Sequence, residues 1–425
     1  MTGKMKETRW VFLCGWLALG MIQCSPPSAP EQFRLKNGLT VVVRPLPGAA
    51  QAAVVVLFSV GSDHDPEGRS GMGHLLEHLY VTAAAGGAKA GSFEELMARY
   101  PGGSNAQTGE RFTVVASVVP RESLEAELRD AAARMGDLRI EAADLDRERP
   151  RLLAELENMF GGIPEIGARN LAAEAVRPPP RGGRKGGLPA HVSAATLGEL
   201  RERWKKLYKP GNAVLVVAGG GTAEEVRGMV ARHFEALPAG ESPGEPGRPG
   251  EPRGGSVAKA EGPRRCVAAA WAAPEPGSGL YAPFLALVAR LWKRPPAGLS
   301  VVFAPLDDPS VLTVSCTPGE GETDEAALAR VEAFVSGTVG PGMRGDDAAL
   351  ALNSFGFLLG LVELPDAALA RNPYGVAFSL GRRRQMGIDP ARIRASLGAL
   401  KEEDLREARK LFAPGRRSAA VVSVK

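Results

Sequence analysis

Gly73-His74-Leu75-Leu76-Glu77-His78-Leu79 is the most informative stretch of this 425-residue chain, because it holds two of the five histidines, four residues apart, with a glutamate between them. On a helix, positions i, i+3 and i+4 share one face, so His74, Glu77 and His78 project together. Two neutral imidazoles on one face form half of a tetrahedral zinc site, and a carboxylate beside them can take a proton from water on the metal. The stretch therefore predicts a helix that carries a hydrolytic metal site.

The order His-x-x-Glu-His is the inverted zinc-peptidase signature. The competing interpretation is structural, because a histidine on an apolar helix face is usually a core residue and a Glu beside a His is usually a solvated pair. Three such side chains in register, in a chain so poor in histidine, favour the metal site. His64, His191 and His233 have no partners at metal-ligand spacing, and we interpret them as structural.

The composition indicates an ordinary globular protein of two or three domains. Apolar residues make up 44% of the chain and charged residues 24%. The net charge of +4 comes from 52 basic and 48 acidic residues spread along the sequence, which argues against nucleic-acid binding. The run Arg382-Arg383-Arg384 is predicted to be a solvated face or a helix end rather than a binding patch.

The first 31 residues are predicted to be a signal leader and a Pro-rich tether. Basic residues precede the apolar stretch 10–22, which is short for a membrane span but typical of a signal-peptide core. The segment resembles a bacterial lipoprotein signal, in which Cys24 would be lipidated. Gln23 departs from the small residue usual there, so ordinary signal cleavage or an uncleaved anchor remain alternatives. We expect an exported protein, periplasmic or anchored to a membrane of a bacterial envelope.

The two remaining cysteines after the leader, Cys266 and Cys316, leave two interpretations open. They pair in an oxidising compartment, or they are buried free thiols. No Cys-x-x-Cys spacing occurs, so a cysteine zinc site is excluded.

The order of apolar patterns predicts an α+β fold of two similar α/β-sandwich halves, each a mostly antiparallel sheet with helices packed on one face. Strand patterns cover 33–43, around an Asn-Gly turn, then 52–60, 112–119 and 213–218, and after the linker 266–271, 299–303, 311–316 and 418–424. Helical spacing covers 122–138, 222–237, 281–292 and 324–334. The repetition suggests an internal duplication.

A Pro/Gly-rich segment separates the two halves. Residues 239–263 combine proline, glycine and charge, a composition that buries no core and is typical of a linker. We therefore assign 32–238 to a metal-bearing N-terminal domain and 264–425 to a similar C-terminal domain.

The residues alone do not identify the third metal ligand. Glu148 and Glu155 are seven residues apart, two turns of a helix, so they can face the same way. The alternative is a surface helix with ordinary charge pairs. Spacing does not choose between these interpretations.

The chain resembles the pitrilysin/insulinase family of zinc metallopeptidases, in its bacterial processing-peptidase-like branch. Besides the motif, the resemblance rests on a glutamate 77 residues after the second histidine, an acidic residue seven before it, and the stretches 61–62, 104–108 and 208–212. It implies that His74, His78 and Glu155 hold Zn²⁺ and that Glu77 is the general base. Glu148 would orient a ligand.

The resemblance also implies how the substrate binds. Asn105 and Ala106 match the edge-strand segment that pairs with the peptide backbone. Pro150 lies between the two glutamates, and a proline is unusual inside a helix. If it breaks the helix, the predicted position of Glu148 is affected more than that of Glu155.

One part of the family's active site is incomplete in the second half. The family pattern Leu-Arg-x-x-x-Gly-Leu-x-Tyr is matched by Arg294, but the tyrosine position holds Val301, which cannot donate to an oxyanion. The resemblance therefore implies a zinc endopeptidase subunit completed by a homologous partner chain that supplies the Arg/Tyr pair. The alternatives are a homodimer and a zinc-binding scaffold subunit that cleaves nothing.

Overall fold

The computed structural model describes residues 29–95, 100 and 102–424. The predicted leader and Cys24 lie outside the described residues. Within these residues, no helix combines the length and apolar character needed to cross a bilayer.

The first half is built on a six-stranded sheet with the strand order β1-β2-β8-β3-β6-β5. Its strands are β1 (Glu31–Arg34), β2 (Thr40–Arg44), β3 (Gln51–Phe58), β5 (Ser104–Thr108), β6 (Thr113–Pro120) and β8 (Ala213–Ala218). A separate two-stranded ribbon pairs β4 (Ala84–Ala85) with β7 (Leu138–Arg139). The predicted strands around the Asn-Gly turn are confirmed as β1 and β2, which pair antiparallel. Strand β5 lies at the edge of the sheet.

The second half repeats this order in a five-stranded sheet, β11-β12-β10-β13-β9. Its strands are β9 (Val257–Gly262), β10 (Cys266–Ala272), β11 (Leu299–Val302), β12 (Val311–Cys316) and β13 (Arg417–Val424). The parallel pair β9–β13 matches the parallel pair β2–β8, and the other neighbours in both sheets are antiparallel. The predicted α+β class with two similar halves is confirmed, and the matching topology supports the suggested internal duplication.

Fourteen helices can be bounded within the described residues. In the first half they are α1 (Met72–Thr82), α2 (Leu124–Gly136), α3 (Ala142–Glu157), α4 (Pro164–Val176), α5 (Pro189–Ala194), α6 (Leu197–Leu207) and α7 (Ala223–Phe234). In the second half they are α8 (Tyr281–Lys293), α9 (Asp324–Thr338), α10 (Asp347–Leu359), α11 (Asp366–Leu369), α12 (Pro373–Met386), α13 (Pro390–Gly398) and α14 (Glu402–Arg409). Helix α8 takes the place in the second half that α1 takes in the first, and it contains no His, Asp or Glu.

Each sheet also receives one helix from the opposite half. Helix α4 places Ala168, Leu171 and Ala172 on the second sheet, against alanines and valines of β10 and β13. In return, α12 places Val376 and Ala377 on the outer face of the first sheet. The prediction of helices on one face is therefore incomplete, because helices cover both faces of each sheet. The uninterrupted apolar pattern of β3 and β10 fits strands that are buried on both sides.

The Pro/Gly-rich segment is ordered along the surface, and its end belongs to the second sheet. Strand β9 lies inside the predicted linker 239–263, so the second sheet begins before the predicted boundary. Its alternating exposure marks a polar edge strand, which composition alone does not reveal. Before β9, the backbone N–H of Gly247 donates to the carbonyl of Asp63, and that of Gly250 donates to Pro178.

The directions of the side chains decide two further expectations, one for the two cysteines and one for the arginine run. Cys266 and Cys316 are buried free thiols on opposite faces of the second sheet, so they do not pair. The arginine run 382–384 lies at the end of α12, which confirms the helix-end alternative, but Arg382 is buried and not solvated. It donates twice to the carbonyl of Leu306, and its guanidinium lies 3.7 Å from the ring centroid of Phe112.

Candidate metal centre

The motif-bearing helix α1 begins at a buried capping network. The Asp65 carboxylate accepts the backbone N–H groups of Gly71 and Gly73, at 2.8 and 3.0 Å. Arg203 reaches the same carboxylate at 3.0 Å and also donates to the carbonyl of His64. An acidic side chain at a helix N-terminus satisfies free N–H groups and complements the helix dipole. This network fixes the start of the helix at Met72, two residues before the first histidine.

Helices α1 and α3 bring two histidines and one glutamate together. One ligand atom from each of His74, His78 and Glu155 lies within 4.8 Å of the others. The Nε2 atoms of both histidines are 3.5 Å from the Glu155 carboxylate oxygens. Two imidazoles and a carboxylate, with space for water, are the donor set of a catalytic zinc site. The three side chains therefore fit a zinc ion.

The other ring nitrogen of each histidine is already in contact with an acceptor. His74 Nδ1 lies 3.1 Å from the carbonyl oxygen of Gly186, and His78 Nδ1 lies 3.5 Å from Glu148. Metal-binding histidines usually donate their second N–H in this way, which sets the tautomer and the ring orientation. Both Nε2 atoms are thereby left facing Glu155.

Glu148 reaches His78 from inside a helix that continues through Pro150. Helix α3 extends from Ala142 to Glu157 without a break at the proline, so Glu148 and Glu155 share a face. Burial opposes the charged form, but contacts with His78 and Arg147 outweigh it and lower the pKa of Glu148. Its carboxylate is thus a buried anion in contact with the histidine.

Glu77 lies beside the three candidate ligands and is held by one hydroxyl. It is buried, and Thr108 Oγ1 donates to its Oε2 at 2.6 Å. Burial raises the pKa of Glu77, whereas His74 and Thr108 act in the opposite direction. Thr108 lies on the edge strand β5, so the carboxylate is positioned by the strand that borders the cavity.

The electrostatic environment of the site favours a cation. Burial alone would lower the pKa of His78, but Glu148, Glu155 and Glu77 together raise it to about 9. The contact with His78 likewise lowers the pKa of Glu155 despite its partial burial. A position that stabilises a positive charge on an imidazole also stabilises a metal ion there, because both respond to the same negative potential.

The site opens into a cavity of about 580 Å³ that the first half lines. Besides the site residues, its wall includes the β5 residues Ala106, Gln107 and Thr108 and the apolar side chains Phe93, Met159 and Ile166. Asn105 is exposed on the opposite side of β5, where its amide donates to the Tyr374 hydroxyl at 3.2 Å. The two predicted substrate-pairing residues therefore lie on the edge strand, with Ala106 toward the cavity.

The structure does not bring the predicted second-half residue to the cavity. Arg294 is exposed in the turn that follows α8, and it is absent from the cavity wall formed by the described residues. Val301 lies in the edge strand β11 and packs on the core of the second half. Neither residue contributes a donor next to His74.

Three contacts of the site were missed by sequence reasoning. They are the hydroxyl of Thr108, the carbonyl of Gly186 and the buried cap formed by Asp65. Thr108 stands in a stretch that already carries the resemblance, so its position was a usable signal. The Gly186 carbonyl is a backbone group 112 residues from its partner, and no side-chain pattern marks it.

Two family models match the chain in order. Residues 40–180 match the family Insulinase (Peptidase family M16), and residues 194–291 match the Peptidase M16 inactive domain. The chain is 30% identical over 210 residues to zinc protease PqqE of Helicobacter pylori, covering 49% of this chain and 47% of that protein. It is also 30% identical over 207 residues to the beta subunit of the mitochondrial-processing peptidase of Neurospora crassa, covering 48% and 43%. The matched region thus spans about half the length of these curated relatives.

Solved structures show the same fold. A protease from Helicobacter pylori superposes with a TM-score of 0.79 at 22% identity, covering 93% of this chain and 99% of that chain. The periplasmic protease PqqL from Escherichia coli superposes with a TM-score of 0.69 at 15% identity, covering 95% of this chain and 48% of that one. With both domain types matched in order and the fold shared along the chain, this protein belongs to the M16 family of peptidases.

Proposed function

We propose that this chain is a zinc-dependent endopeptidase subunit in which His74, His78 and Glu155 hold Zn²⁺. The observation that carries the proposal is the convergence of both Nε2 atoms on one carboxylate while both Nδ1 atoms contact outer acceptors. A fortuitous histidine pair has no reason to be oriented from both sides. The name of the Helicobacter pylori relative, a zinc protease, supports the same chemistry.

The residues around the ligands divide the chemistry between them. Zinc, when bound, would polarise the scissile carbonyl and make the attacking water more acidic. Glu77 is the base that takes the proton from this water and passes it to the departing amine. Thr108 keeps the Glu77 carboxylate in place by its 2.6 Å hydrogen bond. Glu148 holds the ring of His78, so it acts on the reaction only through that ligand.

We infer that the substrate is an extended peptide or an unfolded segment. Strand β5 is an edge of its sheet, and Ala106, Gln107 and Thr108 border the cavity next to Glu77. A peptide laid along such an edge gains backbone hydrogen bonds in place of those of a missing neighbouring strand. Asn105 and Ala106 would then be the residues of β5 that set its register.

We propose that a homologous chain completes the active site. The tyrosine position of the family pattern holds Val301, and Arg294 lies away from the cavity. The relatives include a protein named as a beta subunit and a structure described as the first half of PqqL, which supports assembly from similar units. The alternative is a homodimer of reduced rate, because a second copy of this chain carries the same Val301.

A second candidate function is a zinc-binding partner subunit that cleaves nothing. The same departure at Val301 favours it, as does the match of residues 194–291 to a domain described as inactive. Against it stands the complete set of candidate ligands and base, which a purely structural subunit does not need.

The proposed location is the bacterial envelope. The sequence pattern of the leader, with Cys24 as its candidate lipidation site, supports export, and the related PqqL is described as periplasmic.

The decisive experiment combines metal content with peptide cleavage. Purified protein should bind one zinc per chain and cleave a diverse peptide library, alone or with a homologous partner from the same organism. Glu77→Gln should abolish cleavage and retain zinc, because it removes the base but no ligand. Glu157→Gln, an exposed carboxylate on α3, is the matched control and should behave like the unaltered protein. Zinc binding without cleavage in the presence of the partner would favour the scaffold function, and absence of zinc would contradict both.

A further inference from the structure

The turn at Gly186 and Gly187 packs against both elements that carry the candidate ligands. It lies between the start of α1, which bears both histidines, and the end of α3, which bears Glu155. We propose that this turn is the positioning element of the metal centre: its backbone selects the tautomer of His74 and fixes the spacing of the two helices. The inference rests on the proposed zinc function and deepens it.

The first contact is made by a backbone carbonyl. The Gly186 oxygen lies 3.1 Å from His74 Nδ1. Since a carbonyl only accepts, a neutral His74 must carry its proton on Nδ1 to make this hydrogen bond, and Nε2 is then left with its lone pair free. The orientation of this carbonyl therefore determines which nitrogen is available to a metal.

The second contact is a backbone-to-backbone approach that excludes any side chain. A Cβ atom added to Gly187 would lie 2.5 Å from the Cα of Gly71, and one added to Gly71 would lie 2.8 Å from the Cα of Gly187. Real Cβ contacts are longer than this, so either addition forces the backbones apart. Gly71 is the residue before α1, and its displacement moves the helix that carries His74.

The third contact reaches the helix of the third ligand. A Cβ atom on Gly186 would lie 3.0 Å from Leu156 Cδ2 and 3.0 Å from Met159 Cε. Leu156 is the neighbour of Glu155, and Met159 lies in the π-helical turn Asn158–Gly162 that follows α3. The turn thus fills the gap between both ligand-bearing elements, with positive φ angles of 75° at Gly186 and 130° at Gly187 that favour glycine.

The turn is itself held from outside the site. The N–H of Lys185 donates to the Glu174 carboxylate at 2.6 Å, and the N–H of Arg184 donates to the Ser70 hydroxyl at 3.1 Å. The Arg184 guanidinium also lies 3.7 Å from the ring centroid of Phe160. Because these contacts hold the turn in place, the turn can determine the position of the His74 ring.

Metal affinity of the full chain gives the first test. Gly187→Ala should weaken zinc binding, measured by competition with a chelator, by about 10- to 100-fold, the usual effect of disturbing a group that orients a ligand. Gly182→Ala is the matched control, because Gly182 has a positive φ of 65° but nothing within 4 Å of an added Cβ. It places an alanine at a positive φ without the displacement, with less backbone strain than at the φ of 130° of Gly187, and its zinc affinity should stay within about twofold of the unaltered chain.

The tautomer of His74 gives the second test, and it needs no destabilising variant. In the metal-free, unaltered protein, long-range ¹⁵N–¹H NMR should show His74 protonated on Nδ1, with the resonance assigned by its loss in His74→Gln. A neutral His74 with its proton on Nε2 instead of Nδ1, or unchanged zinc affinity in a folded Gly187→Ala variant, would overturn the inference. If Gly187→Ala does not fold, the NMR result decides alone. Failure of the unaltered chain to bind zinc would instead contradict the proposed function, so the two outcomes are distinguishable.

Discussion

At the scale of single residues, the most instructive side chain is Glu148, which contacts the candidate ligand His78. Its carboxylate is buried 3.5 Å from His78 Nδ1. Replacing it with Gln keeps the shape and removes the charge, so the imidazole loses its anionic partner. We expect Glu148→Gln to weaken zinc binding by about tenfold. The measurement is a chelator competition with Asp146→Asn, an exposed position on the same helix, as control. Equal affinities for the three proteins would show that Glu148 does not orient His78.

A second residue-scale prediction concerns pH-dependent stability at Asp63. Burial, with Glu110 as a second cause, raises the pKa of Asp63 to about 7 despite the nearby Arg111. The folded state therefore holds a proton that the unfolded state releases near pH 4. Stability from this group is fully present below about pH 4 and is lost as the pH rises through about 7.

Asp63→Asn should remove this dependence. Because the amide cannot ionise, we expect the variant to be more stable than the unaltered chain at pH 8, on the order of 2 kcal/mol, and to differ little at pH 4. Denaturant titrations at the two pH values measure this. A loss of stability at pH 8 would mean that the ionised form is stabilised by Arg111 more than burial disfavours it.

The residue scale also shows what sequence reasoning can reach. His74, Glu77 and His78 are recognisable because one helix fixes their relation, and Glu155 because a resemblance fixes its distance. Asp65, Thr108 and Gly186 are not recognisable in this way. Their partners come from other elements, and their chemistry depends on which backbone group faces them.

At the scale of elements, the start of α1 sets the position of the helix that carries two of the three candidate ligands. Asp65 is buried, caps two N–H groups and pairs with the buried Arg203. Its removal leaves Arg203 as a buried charge without this partner, so Asp65→Ala should cost about 3–5 kcal/mol. Asp389→Ala is the control, because Asp389 caps α13 in the same way on an exposed surface and should cost about 1 kcal/mol.

Chemical denaturation compares these two capping variants. If both cost the same, the Asp65–Arg203 pair adds nothing to an ordinary cap. We also expect weaker zinc binding only in Asp65→Ala, since α13 lies in the other half of the chain.

The strand and helix patterns explain why the fold class was predictable and the exchange of helices was not. The apolar runs at 52–60 and 266–271 predict buried strands, and β3 and β10 confirm them. A run buried on both faces requires a cover on each face, but the pattern does not say which helix provides it. Helix α12 packs on a strand more than 300 residues earlier in the chain, and periodicity has no information about such a distance.

At the scale of the whole molecule, the two halves are joined by packing as well as by the chain. Helix α4 covers one face of the second sheet, and α12 covers one face of the first. The contact is close: a Cβ atom on Gly381 of α12 would lie 2.3 Å from Leu57 Cδ1 on β3. Gly247 and Gly250 add backbone hydrogen bonds from the connecting segment to the first half. The two halves therefore pack against each other as one unit.

This architecture predicts that neither half folds alone. A fragment of residues 29–256 lacks α12 and exposes the apolar outer face of β3, β6 and β8, and a fragment of 257–424 lacks α4 and exposes β10 and β13. Apolar faces of this kind bind each other or aggregate in water. We expect each fragment alone to lack a cooperative thermal transition and the first to bind no zinc tightly. Co-expression of the two should restore both properties, because each then supplies the missing helix of the other. A monomeric first fragment that unfolds cooperatively and binds zinc would show that the exchanged helices are not required for the metal centre.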